Sequence, residues 1–268
     1  MVGHQANLNP RHAPPSSVRS VLSDLGGGLL GGRYGEAPAQ VVALHGWRRT
    51  HTDFDRVLEG LAAVAPDLPG FGAGAEPPEA WGAAGYAEAV VAACPADPVV
   101  VVGHSFGGRV ALLLAARYPG RVRALVLTGV PLFRPAGSRP PTPGLGHRVA
   151  RTLHRVGVLS DDRMEARRRR SGSEDYRQAS GTMRAVLVRA ISETDDGTYR
   201  RALVGLRCPV ELVWGEGDTA ASVAVAREAA ELVAGSRLTV LPGVGHLTPT
   251  EAPAALRAAV LRHLAGAT

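Results

Sequence analysis

The chain has 268 residues, 45% of them hydrophobic, and a formal net charge of +6 carried without a single lysine. That length supports a large core and lies at the upper end for one domain, and charged or polar residues interrupt every apolar run well short of a membrane-spanning helix. The arginines are scattered apart from Arg163 and the run Arg167 to Arg170; no nucleic-acid-binding motif accompanies them, so the run reads as a solvated helix face and nucleic acid is not an expected partner.

Residues 1–17 are polar and proline-rich and read as a flexible tail. They contain no apolar core of a secretory signal, so a cytoplasmic location is expected. Val18 to Leu25 and Leu29 to Tyr34 read as two short strands around a glycine turn. Gln40 to Leu44 is a short apolar run ending at His45-Gly46. Residues 53–63 have helical spacing, and Val64-Ala65 leads into Pro66-Asp67-Leu68-Pro69-Gly70. An alanine-rich helix is expected over 83–93. Pro98 to Val102 places four valines after a proline, the pattern of a strand buried on both faces. Phe106 to Tyr118 reads as a helix stopped by Pro119-Gly120, and Val122 to Thr128 as another buried strand. Val210 to Trp214 and Leu238 to Leu241 complete the strands, followed by helical patterns at about 220–233 and 250–264. Strands alternating with helices imply an α/β fold with a mostly parallel sheet covered on both sides. Two cysteines, Cys94 and Cys208, are too few for a disulfide framework or metal site and read as small buried hydrophobes.

About 75 residues between the strands at 122–128 and 210–214 carry no buried-strand signal. Arg134 to Pro143 is rich in proline and glycine, while 147–159 and 182–192 have helix-like apolar spacing. A structureless loop of that length is improbable. Residues 131–205 therefore read as a helical cap inserted into a core made of 18–130 and 206–268.

Gly103-His104-Ser105-Phe106-Gly107 fits G-x-S-x-G. In so glycine-rich a chain the pattern alone has about 0.2 chance matches, so its context decides. Here a buried strand precedes it and a helix follows, which forces a sharp turn that lifts the Ser105 hydroxyl off the sheet. A serine hydroxyl needs a base. His246, in Pro242-Gly243-Val244-Gly245-His246, follows the last strand and is the expected base. The base needs an acid to hold its tautomer. Asp218 and Glu216 both follow the strand at 210–214 in Trp214-Gly215-Glu216-Gly217-Asp218. Asp218 is preferred because the glycines before it let the chain turn back, and Gly129 to Phe133, another usual position, holds no carboxylate. Two backbone N–H groups should face the developing oxyanion, those of Phe106 and Trp47. His45 is expected to hydrogen-bond its own loop.

These pieces, with Leu44-His45-Gly46-Trp47 and Pro66-Asp67-Leu68-Pro69-Gly70-Phe71-Gly72, resemble the α/β-hydrolase superfamily, in its single-domain branch with a helical cap. The resemblance runs from about residue 18 to the end, except the cap. It departs at Gly74, where many relatives carry serine. It implies a serine hydrolase of the triad Ser105, Asp218 and His246 that needs no metal or organic cofactor. The expected substrate is a small or medium, mainly apolar ester or lactone. The same triad serves thioesterases, C–C bond hydrolases and tailoring enzymes, and a non-catalytic ligand-binding protein on this fold is the remaining alternative. The sequence leaves the oligomeric state open.

Overall fold

A computed structural model describes residues 20–134 and 174–265. An eight-stranded sheet runs in the order β1-β2-β4-β3-β5-β6-β7-β8. Its strands are β1 (Val21–Gly26), β2 (Leu29–Tyr34), β3 (Val41–Leu44), β4 (Ala63–Pro66), β5 (Val99–His104), β6 (Val122–Thr128), β7 (Val210–Gly215) and β8 (Arg237–Leu241). β2 pairs antiparallel with β1 and β4; every other neighbouring pair is parallel. The helices of the described residues are α1 (Asp55–Leu58), α2 (Ala83–Ala93), α3 (Phe106–Arg117), α4 (Glu174–Gln178), α5 (Gly181–Asp195), α6 (Thr198–Val204), α7 (Val223–Leu232), α8 (Thr248–Glu251) and α9 (Pro253–Ala265).

The two faces of the sheet follow from the two-residue period of a strand. Val42, Leu44, Val99, Val101, Leu125 and Leu127 enter one apolar cluster, together with residues of α2, α3, α6 and α7. Their neighbours Val41, Ala43, Val100, Val102, Ala124 and Val126 enter a second, covered by α1 and α9. Both faces are thus buried, which is why the central strands read as continuous apolar runs.

Two expectations need correction. The helical pattern over 53–63 resolves into a 3₁₀ turn at His51–Phe54, the short α1, and then the strand β4. Gly60 adopts φ +69°, a conformation that ends a helix, and the chain turns there into the sheet. The alanines of β4 carry little strand propensity, and pairing on both sides with β2 and β3 overrides it. Cys94 is buried, with its thiol pushed up to about 11 by desolvation, whereas Cys208 is only half-buried.

Between β6 and β7, α4, α5 and α6 occupy the described part of the long segment; α5 covers the helix read at 182–192, and neither α4 nor α6 has a counterpart in the sequence reading. The helix read at 147–159, Arg163 and the run Arg167 to Arg170 lie outside the described residues. Among the described residues no helix is long and apolar enough to cross a membrane.

β4 lies on one side of β3 and β5 on the other, so strand order reverses between β3 and β5. Loops at the carboxyl ends of such strands diverge and leave a crevice. The loops after β3, β5, β6, β7 and β8 all meet there.

Candidate active site

Ser105 sits between the end of β5 and the start of α3, at φ 51° and ψ −115°. A non-glycine residue with positive φ is strained and must be held by its surroundings. Its N–H donates to the Thr128 carbonyl of β6 (3.0 Å), and Gly107 N–H donates to the His45 carbonyl (3.0 Å). The approach is close enough that a Cβ at Gly103 would lie 2.5 Å from Gly108 Cα, and one at Gly107 would lie 2.2 Å from the Leu44 carbonyl oxygen. Small residues at 103 and 107 are therefore a condition for the turn.

His246 lies on the loop after β8. Its Nε2 is 3.1 Å from Ser105 Oγ, and its Nδ1 is 2.9 and 3.0 Å from the two Asp218 carboxylate oxygens. A carboxylate only accepts, so Nδ1–H donates to Asp218, and in the neutral ring Nε2 is free to accept the Ser105 proton. Asp218 Oδ1 also accepts from the N–H groups of Ala220 (2.9 Å) and Ala221 (2.8 Å). The Asp218 side chain is fully buried; Glu216, two residues earlier, is exposed. Gly129, after β6, makes room for this pair, since a Cβ there would stand 3.1 Å from both Asp218 Oδ2 and His246 Nδ1.

Phe106 opens α3, and Trp47 lies on the loop after β3. Among the described residues neither backbone N–H has a hydrogen-bond partner. The two rings pack edge to face at 5.4 Å, and Phe71 packs on Trp47 at 4.9 Å, which stiffens the loop beside the serine. Arg48, next to Trp47, is the other non-glycine residue with positive φ among those described.

Two buried histidines brace the loops. His45 Nδ1–H donates to the Gly46 carbonyl (2.8 Å) and its Nε2 accepts from Leu68 N–H (2.9 Å), which joins the loops after β3 and β4. His104 Nε2–H donates to the His246 carbonyl (2.9 Å). Burial, with the His246 ring beside it, lowers the His104 pKa to about 4, so His104 remains neutral near pH 7.

Asp67 completes the brace. It accepts from His51 N–H (2.8 Å), His51 Nδ1–H (2.9 Å) and Ala73 N–H (2.9 Å). Burial raises its pKa, but these donors outweigh burial and hold it below the ordinary carboxylate value. A depressed folded value means stability that is present above the unfolded pKa of about 4 and lost as pH falls through the folded one. Asp67→Asn is expected to destabilise the protein by about 2–4 kcal/mol at pH 7. In urea denaturation the gap between wild type and mutant should narrow below about pH 4; a gap constant down to pH 3 would contradict the assignment.

The cleft above Ser105 has a volume of about 340 Å³. Trp47, Phe106, Pro131, Leu187, Ile191 and Leu247 give it apolar walls. Arg49, Arg109 and Asp175 also line it, so the site is more charged than the sequence reading expects. Arg49 is neutralised by Asp53 through contacts of 2.6 and 2.7 Å. Arg109 was legible in principle as the single charge within the apolar stretch Phe106 to Ala116, one helical turn after Ser105.

Of the residues read from the sequence, Ser105, His246, Trp47 and Phe106 thus line one cleft at the carboxyl ends of the strands, and Asp218 is buried beneath its surface against His246. Comparison with known proteins agrees with that architecture. The model of the alpha/beta hydrolase family matches residues 41–259. A pimeloyl-[acyl-carrier protein] methyl ester esterase of Aromatoleum aromaticum is 33% identical over 233 residues, 77% of this chain and 90% of that protein. A 2-hydroxy-6-oxo-2,4-heptadienoate hydrolase of Pseudomonas putida is 26% identical over 79% of this chain and 83% of its own length. The structure of a thermophilic esterase from Thermogutta terrifontis superposes with a TM-score of 0.61 at 23% identity, covering 87% of this chain and 91% of that one. With its mostly parallel eight-stranded sheet and this breadth of match, the chain belongs to the alpha/beta hydrolase family.

Proposed function

We propose that this hydrolase cleaves a small or medium ester or lactone, mainly apolar, through an acyl-enzyme on Ser105. The observation that carries the reading is the continuous chain of contacts from Ser105 Oγ through the His246 ring to the buried Asp218 carboxylate, at 3.1 and 2.9 Å. In the first half-reaction Ser105 Oγ attacks the substrate carbonyl carbon while His246 Nε2 takes its proton. Asp218 stabilises the imidazolium and holds the tautomer. The carbonyl oxygen becomes an oxyanion facing the Phe106 and Trp47 N–H groups, and the positive end of α3 favours it. His246 then protonates the leaving alcohol as the C–O bond breaks. In the second half-reaction a water gives its proton to His246 Nε2 and attacks the acyl carbon; as the acyl–Oγ bond breaks, His246 returns that proton to Ser105 Oγ and the acid leaves.

The cleft volume of about 340 Å³ matches the lower end of small-molecule sites. Residues 131–205 act in this reading as the cap: Leu187, Ala190 and Ile191 of α5 line the same cleft as Ser105. The Aromatoleum relative is named for a methyl ester, which favours ester cleavage. The Pseudomonas relative is named for a heptadienoate hydrolase, which keeps a second reading, the same residues acting on a carbon–carbon bond next to a ketone.

The test is a substrate panel of p-nitrophenyl esters from acetate to decanoate, an acyl thioester, a lactone and a vinylogous 1,5-diketone. The expected result is highest kcat/KM on a short or medium ester or on the lactone. A kcat/KM at least about tenfold higher on the diketone or the thioester, a difference of about 1.4 kcal/mol in transition-state binding, would replace the ester reading.

A further inference from the structure

Arg109 lies one helical turn beyond Ser105, and its own N–H donates to the Ser105 carbonyl at 3.4 Å. Its side chain is buried, and no carboxylate lies within ion-pair distance of it among the described residues. A buried cation is costly unless its donors are satisfied. Here neutral oxygens satisfy them. Nε and Nη2 donate to the Pro131 carbonyl at 3.0 and 2.7 Å, Nη2 to Thr194 Oγ1 at 2.9 Å, and Nη1 to the Ala190 carbonyl at 3.1 Å. The Tyr199 ring of α6 lies under the guanidinium, 5.4 Å away.

The acceptors are not scattered. Pro131 is on the loop after β6, and Ala190 and Thr194 lie near the carboxyl end of α5, the negative end of that helix. Thr194 Oγ1 also donates to the Ala190 carbonyl (3.1 Å), so the two α5 acceptors form one unit. The same helix presents Leu187, Ala190 and Ile191 to the cleft. A guanidinium has five N–H groups, and four are engaged by the protein. That leaves at most one for a ligand, which argues for a strut over an anion-binding group.

We propose that Arg109 is a positioning residue for specificity: it ties the helix that carries Ser105 to α5 and so fixes the distance of the apolar α5 wall from the nucleophile. This rests on the ester-cleaving reading of the cleft. A strut of this kind acts on substrates long enough to reach Leu187 and Ile191 and much less on an acetyl group. Arg109→Lys keeps the charge but loses the planar fork that holds two elements at once. Thr194→Val keeps the shape at 194 and removes one acceptor.

The test compares wild type, Arg109→Met, Arg109→Lys and Thr194→Val on p-nitrophenyl octanoate and acetate, together with amide hydrogen exchange across α5. Arg109→Met is expected to change the octanoate-to-acetate ratio of kcat/KM by at least about tenfold, mainly through KM, with Arg109→Lys between it and wild type. Thr194→Val should move the ratio the same way by about two- to threefold. Exchange of α5 amides should accelerate by at least about tenfold in Arg109→Met with no matching change in β5. A ratio within twofold of wild type, or unchanged α5 exchange, in a folded Arg109→Met would overturn the proposal. If that variant does not fold, an unchanged ratio in Thr194→Val does so. Equal loss on both esters would also overturn it, since that places Arg109 in the chemical step. The exchange arm needs no substrate, so absence of ester turnover in wild type would refute the ester reading while the strut is still judged by α5.

Discussion

Ser105→Ala is expected to lower kcat on the best ester by about 10⁴–10⁶, because the members of such a unit fail together once the nucleophile is gone. The fold should survive. The one side-chain hydrogen bond lost is the 3.1 Å contact to His246 Nε2, and both residues at 105 carry a Cβ in the same strained conformation. The His246 loop keeps its other anchors, the Asp218 carboxylate and the His104 ring. The checks are steady-state kinetics and urea denaturation on the same preparation. Ester turnover within about tenfold of wild type in a folded Ser105→Ala would remove the nucleophile assignment.

Asp218→Asn is expected to cost about 10³–10⁴ in kcat. The direction follows from the donors around the carboxylate. Oδ1 accepts from both Ala220 and Ala221 N–H groups, so an asparagine must place its carbonyl oxygen there and turn its NH₂ toward His246 Nδ1. Nδ1 must then accept, which moves the ring proton to Nε2. A protonated Nε2 cannot take the Ser105 proton. Glu216→Gln, at an exposed position with no contact to His246, should change kcat by less than about threefold. The reverse ranking of the two variants would transfer the acid to Glu216.

The elements that were readable from sequence are those whose pattern reflects burial directly. Val99 to Val102 is buried on both faces and reads as an uninterrupted apolar run, and the adjoining turn at Ser105 is marked by glycines that close contacts demand. His246 and Asp218 were readable because each follows a strand with glycines around it, at the end of the sheet where loops converge. Glu216 and Asp218 could be ranked but not separated by sequence. The difference between them is the capture of one carboxylate by the Ala220 and Ala221 N–H groups, a property of the folded turn. β4 was hidden because alanine and proline carry no strand signal and only its neighbours on both sides make it a strand. Arg109 was passed over among scattered arginines. What distinguishes it is its place on a buried helix face, toward acceptors on Pro131, Ala190 and Thr194 that lie 22 to 85 residues away in the chain.

The central claim is that Ser105 becomes covalently acylated. The most direct measurement is labelling of wild type with a fluorophosphonate, which forms a stable adduct on an activated serine, followed by peptide mass spectrometry. The account predicts one adduct, on Ser105, with ester hydrolysis lost in proportion to labelling, and no adduct at that position in Ser105→Ala. Full ester turnover by protein that carries no adduct at Ser105 after exhaustive treatment, or inactivation that tracks an adduct elsewhere, would contradict it.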